Sequence, residues 1–395
     1  MQSLLQPFSV CSQCFSRAIH QIKTSFSFRN FSSAHLGLAT TPNPVAAFAE
    51  LPHRGFVLLS GYDAPKFLQG LTTNNVEPSR ETPWYSGFLS AQGRVLWDVI
   101  IYPYRSSNEC GKVYLVEVER DEVGSFIKHL KRHKLRSQVT IRDASEEWHV
   151  FSAWSSNGIS PVAEMQQGSG ATEGAIVTVD PRLPSLGHRI VLNSELNHPA
   201  AALPEFYGTL PKTSTESYTI RRYLQGVPEG QHEIIKESAL PMESNMDYLN
   251  GIDFRKGCYV GQELTIRTQH TGVIRKRILP IQLYDADAPS MLSYMPSGPE
   301  VESGADIKAE GGKRPVGKLL TSIGNIGLAL CRLENMTDLR VSAEGGSFKP
   351  GMEFNVALKA GNGRVKIKAF VPEWLRIREK EKMDRRAKRE EPILE

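Results

Sequence analysis

No acidic residue precedes Glu50 in this 395-residue chain, although Arg17, Lys23 and Arg29 all lie in that stretch. The segment is rich in serine and phenylalanine, and Phe8, Phe15, Ile19, Ile22 and Phe26 recur at near-helical spacing. An acid-free, Ser-rich, Arg-bearing amino terminus predicts an organelle transit peptide over residues 1–35, mitochondrial first and plastid as the alternative, to be kept out of fold reasoning. Without its three cations the net charge of +4 falls to about +1, so global charge gives no argument for nucleic-acid binding. No apolar run approaches the roughly 18 residues that a membrane-spanning helix requires, and no membrane span is expected.

Cysteine is scarce as well, with five residues: Cys11, Cys14, Cys110, Cys258 and Cys331. Cys11 and Cys14 spell C-x-x-C but fall inside the expected transit peptide. The other three are far apart, without metal-ligand spacing and too few for a disulfide framework. Cys331 sits in the apolar run "IGLALCRLE" and reads as a buried thiol; Cys110 lies in the polar turn "RSSNECGK". Also missing are a phosphate-binding P-loop, a G-x-G-x-x-G after a strand, a zinc signature and a nucleophile elbow.

What is present is regular from about residue 51. "GFVLLS" reads as a strand, followed by a helix in "DAPKFLQGL" with Asp63 placed to cap it and Pro65 in its first turn. "YSGFLSAQGRVLWDVIIYPY" predicts two strands around Ala91-Gln92-Gly93, and "KVYLVEVE" a further strand. "DEVGSFIKHLKRHKL" follows as an amphipathic helix, acidic at its start and basic at its end. Further strands are expected in "EWHVFSAW" and "GHRIVL", then a helix in "STESYTIRRYLQGVPEG" ended by Gly226 and Pro228. This order predicts an α+β region with antiparallel sheet. Beyond residue 275 the glycine-punctuated runs are β and suit a small barrel. Residues 285–313 predict a mobile surface loop, and the charged tail from Trp374 a solvated or frayed helix.

Cys258 has an unusual setting in "RKGCYVGQELTIR". Arg255 and Lys256 precede it, Gly257 and Gly261 bracket it, and "GQELTIRTQH" predicts a short helix whose first N–H groups lie just downstream. Cations and a helix amino terminus both favour the thiolate, the reactive and metal-binding form. Six bases against Glu263 alone between Arg255 and Arg277 suit an anionic ligand or partner. A turn filled by a structural cysteine, with the bases on the solvent face of a strand, accounts for the same residues.

"KGCYVGQE" resembles the K-G-C-Y-x-G-Q-E signature of the YgfZ-type folate-binding family, and in particular its mitochondrial iron–sulfur cluster assembly branch. "GYDAPKFLQGLTTNNV", "FLSAQGRVLWDVIIY", "YLQGVPEG" and "GVIRKRILP" resemble further family stretches in the same order, so the likeness covers about residues 50–370. Asn75 stands where many members of the family carry aspartate.

The resemblance implies a fold like the T-protein of glycine cleavage. Two interleaved α+β subdomains (45–275) would be followed by a C-terminal β-barrel (276–373) and the charged tail (374–395). It also implies a role in the mitochondrial matrix in maturing [4Fe–4S] proteins of the aconitase type, beside scaffold proteins of the A-type class. Cys258 would be the functional thiol and transient iron–sulfur ligand. Lys256, Gly257, Tyr259, Gly261, Gln262, Glu263 and Arg267 would surround a tetrahydrofolate-type cofactor. A folate-dependent one-carbon transferase and a protein-interaction module with a structural loop remain the alternatives.

Overall fold

The computed structural model describes residues 43–105, 111–155, 174–194, 210–342, 345–361 and 363–390. The expected transit peptide, Cys11, Cys14, Cys110 and the last five residues of the tail lie outside these.

The chain runs through β1 (Ala46–Glu50), β2 (Arg54–Gly61), α1 (Ala64–Gln69), β3 (Trp84–Leu89), β4 (Val95–Tyr104), β5 (Lys112–Glu119), α2 (Val123–Lys134) and β6 (Thr140–Asp143). Then come β7 (Trp148–Ser155), β8 (Ala175–Val179), β9 (His188–Asn193), β10 (Lys212–Thr213) and α3 (Thr215–Gln225). The strands do not group by sequence. β2 to β6 form one sheet in the order β3-β4-β5-β2-β6, whereas β1 leaves its neighbour β2 and joins the later strands as β10-β1-β7-β9-β8. The two halves are interleaved from the first strand onward.

Period-two alternation decides which core each residue enters. On β2, Phe56 and Leu58 join Tyr102, Leu115, Trp148 and Val150 in one buried cluster. Val57 and Leu59 face the other way, onto Phe67 and Leu68 of α1 and Phe126 and Leu130 of α2. Both faces of this sheet are therefore covered, which is why β4 is buried over residues 95–102. Asp63 occupies the cap position of α1, but its side chain makes no cap bond. Its carboxylate instead accepts the Gln138 N–H at 2.7 Å, tying the end of β2 to the loop after α2.

Residues 226–261 form turns without a strand or helix, and α4 (Gln262–Thr271) follows. β11 (Lys276–Tyr284), β12 (Asp306–Ala309), β13 (Pro315–Ile323), β14 (Ile326–Arg332), α5 (Leu333–Met336), β15 (Phe354–Ala357) and β16 (Arg364–Ala369) complete the sheet structure, and α6 (Glu373–Glu390) ends the described chain. The six strands close a barrel in the order β11-β14-β13-β12-β15-β16. Cys331 is fully buried in its core, where burial pushes the thiol well above its ordinary range.

Two sequence expectations need correction. Residues 285–313 are tied down and contain β12. Asn325 accepts from Met295 N–H at 2.6 Å and donates to Ser293 O at 3.1 Å, while Gln282 accepts from Ser293 N–H at 3.0 Å. The tail is also not simply solvated. Leu375 is buried in the barrel core, Trp374 Nε1 donates to Gln225 O at 2.8 Å, and buried Glu379 accepts from Arg277 Nε at 3.0 Å. Charge patterning hid this docking because one apolar side chain and one paired acid are enough to seat the first turns of α6. Among the described residues no helix is long and apolar enough to cross a membrane.

Candidate functional site

Three sequence motifs meet around Cys258. The thiol itself is exposed. Its loop is anchored from below by Lys256, whose Nζ donates to Gln69 O at 2.8 Å, Thr72 O at 2.5 Å and Asn74 O at 3.0 Å. These carbonyls line the turn after α1, in the "LQGLTTNN" motif. An ammonium has three hydrogens, and all three are engaged. Burial pulls the Lys256 ammonium down to about 8. The same group lies 4.9 Å over the Tyr259 ring, a cation–π contact.

The turn that receives Lys256 is itself fixed. Thr73 Oγ1 donates to Gly251 O at 2.6 Å, and Asn74 Nδ2 donates to Tyr85 O at 2.9 Å and Asn250 O at 2.7 Å. Val260 N–H donates to Gly70 O at 3.1 Å, so the loop is held on both sides of the cysteine.

The remaining candidates divide by role. Tyr259 is buried, and burial pushes its hydroxyl up to about 12. Gln262 accepts the Tyr259 N–H at 3.2 Å through its side-chain oxygen, closing the first turn of α4. Glu263 and Arg267 are exposed on α4. Gly261 adopts φ +78°, and a Cβ there would lie 2.2 Å from Ser90 O; Gly257 has open space around it. One glycine is required by the fold and the other only keeps the thiol accessible.

Sequence reasoning missed a second feature, a buried ionic centre between the sheets. Arg54, Arg182, Arg189 and Arg222 face Glu117, Asp180, Glu229 and Glu233, all buried. Glu117 accepts from Arg54 Nε at 2.8 Å, Arg189 Nε at 2.9 Å and Tyr102 OH at 2.7 Å. Glu229 accepts from Arg182 Nη1 and Tyr218 OH, each at 2.7 Å. Glu233 takes both Nη1 and Nη2 of Arg222 at 2.8 and 2.9 Å. Burial alone would raise the Glu117 carboxyl, but Arg189 and Arg54 overcome it and hold the group at about 2. Four guanidiniums against four carboxylates leave the centre balanced.

Asp98 of β4 lies beside this centre and is buried, yet its contacts are neutral: Gly230 N–H at 3.1 Å and Gln231 Nε2 at 3.2 Å. Nearby, Tyr85 OH, Gln231 Oε1 and Arg54 Nη1 are buried without a hydrogen-bond partner. The available signal was an acid inside an apolar strand, "LWDVII" and "YLVEVE". Glu50, the acid nearest the first strand, is half-exposed beside His149 and Lys212 and takes no part. Among the described residues no three His, Cys, Asp or Glu are grouped to hold a metal ion.

Comparison with known proteins places the chain in a family. The chain is 39% identical to the mitochondrial iron–sulfur cluster assembly factor IBA57 homolog of Coccidioides immitis, over 95% of this chain and 93% of that protein. It is 43% identical to the protein of the same name from Neurospora crassa, over 88% and 84% of the two chains. The chain belongs to the IBA57 family. The Pyricularia oryzae member is 44% identical over 84% of this chain and 85% of its own. Residues 275–377 match the family of the CAF17 C-terminal beta-barrel domain. In fold, the chain is similar to the glycine cleavage system aminomethyltransferase T from Bartonella henselae. The TM-score is 0.60 at 11% identity, covering 84% of this chain and 87% of that one. The T-protein-like α+β architecture with a C-terminal barrel is thereby established.

Proposed function

We propose that the protein is a mitochondrial matrix accessory factor for maturing [4Fe–4S] proteins of the aconitase type. In this reading the Cys258 thiolate transiently ligates an iron–sulfur unit shared with an A-type scaffold protein. The observation that carries it is an exposed thiol on a loop held on both sides, by Lys256 in its carbonyl cradle and by Val260 on Gly70. Thiolates are the usual ligands of iron–sulfur units. One thiol supplies one ligand, and no ligand cluster accompanies it among the described residues. The other ligands therefore come from the partner, which suits hand-over better than storage. The relatives' names support cluster assembly as the process.

The cofactor in this reading is a reduced folate, bound at the polar centre around Asp98. The unpartnered Tyr85 OH, Gln231 Oε1 and Arg54 Nη1 match the donors and acceptors of a pterin-like ring. Lys256, Tyr259, Gly261 and Gln262 then serve the loop, and Gly257, Glu263 and Arg267 present its surface.

The test is rescue of cells depleted of the protein, reading aconitase activity with a [2Fe–2S] enzyme as control. Wild type restores aconitase, and Cys258→Ser accumulates equally but does not. Full rescue by Cys258→Ser overturns the assignment of the thiol. A folate-dependent one-carbon transferase is the second reading, favoured by buried Asp98 lacking an ion pair among the described residues. It predicts tetrahydrofolate-dependent turnover that Asp98→Asn abolishes and Cys258→Ser leaves intact.

A further inference from the structure

The outer face of the barrel carries a second candidate site, unrelated to the thiol. Strand register brings Lys276 opposite Arg332 and Ile278 opposite Leu330 across β11 and β14, and Lys318 opposite Leu330 across β13 and β14. Since alternate residues share a face, these three strands place the cation pair Lys276 and Arg332 in one tier and Lys318 in the next, level with the apolar pair Ile278 and Leu330. Like charges directly opposite each other on antiparallel strands are destabilising. Lys276 is partly compensated by Glu243 at 3.4 Å. Among the described residues the side chains of Arg332 and Lys318 have neither a hydrogen-bond nor an ion-pair partner.

This surface is walled on one side. The 231–244 segment flanks it and forms with it a half-open cleft of about 830 Å³ that Lys276, Ile278, Lys318, Leu320 and Leu330 line from the barrel side. Ile235, 43% exposed, lines it from the segment. A smaller cavity of about 340 Å³ shares Lys276 and includes Arg332. The second carboxylate on the larger wall, Glu233, is already taken by Arg222. A space of several hundred Å³ that sets Ile235, Ile278 and Leu330 beside charged Lys276, Lys318, Arg94 and Glu243 has the size of a small-molecule site.

We infer that this cleft binds a small organic anion, with its apolar body on Ile278, Leu330 and Ile235 and its charge against Lys318 and Lys276. An anion would give Lys318 a partner and share Lys276 with Glu243, and the apolar pair Ile278 and Leu330 level with Lys318 would select against inorganic ions.

The probe is 8-anilinonaphthalene-1-sulfonate, an aromatic body with one sulfonate, titrated into the full-length protein by fluorescence and calorimetry. One site per chain is expected. Lys318→Glu and Ile235→Asp, both at accessible positions, should each weaken it at least tenfold with unchanged thermal melts, and Lys318→Arg should retain it. Hexanoate and hexyl phosphate should compete, the stronger competitor naming the headgroup. No saturable binding, binding indifferent to both substitutions, or competition by neither anion would overturn the inference.

Discussion

Gly93 and Gly261 meet backbone to backbone: a Cβ on Gly93 would lie 3.0 Å from Gly261 O, and one on Gly261 would lie 3.2 Å from Gly93 Cα. Both adopt left-handed φ, +77° and +78°. The turn between β3 and β4 is thus the floor on which the Cys258 loop turns into α4. Gly261→Ala adds a strained φ and a clash with Ser90 O, and should cost on the order of 2–4 kcal/mol. Gly257→Ala, with open space and no left-handed φ, should stay within about 0.5 kcal/mol. Urea midpoints of the two variants check the contrast; equal losses would show that the turn does not depend on this contact.

Lys256→Met keeps most of the apolar stem and removes the ammonium. It leaves the carbonyls of Gln69, Thr72 and Asn74 without their shared donor, a loss of about 1–3 kcal/mol. Limited proteolysis should then cut within residues 253–258 while the barrel resists. An unchanged cleavage pattern would mean that Val260 and Gly70 hold the loop alone.

Glu117→Gln preserves shape but removes the carboxylate that Arg54 and Arg189 share, leaving the buried centre with one cation in excess although Arg189 keeps Asp180 and Glu229, and should destabilise by roughly 3–5 kcal/mol. Arg376→Ala removes the exposed pair with Asp338 and should cost under about 1 kcal/mol. Denaturant melts of the two variants separate a buried network from a surface pair.

The same centre sets an acid limit. Glu117 is held at about 2 against an ordinary 4.5, so its contribution is present above pH 4.5 and is lost as pH falls toward 2. At roughly 1.4 kcal/mol per unit, about 3 kcal/mol is at stake. His129 adds an earlier window. Burial, then His133, Arg132 and Lys236, lowers it to about 4, so the unfolded chain takes up a proton first and stability declines between pH 6.5 and 4. His129→Gln should flatten that first decline in a urea-midpoint series and leave the second. A variant curve that overlays the wild type would remove His129 from the account.

Local signals in the sequence carried much of the fold. Gly226 ends α3 in the left-handed conformation, as Gly and Pro after the helix predicted, and Ser214 caps its start by accepting the Ser217 N–H. The turn at Gly93 and the helix after the cysteine were equally legible, because spacing and backbone chirality act over a few residues. Legible for the same reason was the buried setting of Cys331 within an apolar run.

What the sequence determined by itself was the cysteine motif, the order of strands and helices, and which residues had to turn. Tertiary structure alone decided what those residues touch. Lys256 reads as a cation beside a thiol, yet it is spent on carbonyls some 180 residues earlier in the chain. Arg54, Glu117, Arg189 and Glu229 become one balanced centre only because β1 and β2 part into different sheets and bring distant strands face to face. Charge pairing at such separations leaves no periodic trace along the chain, since it depends on strand order and not on spacing.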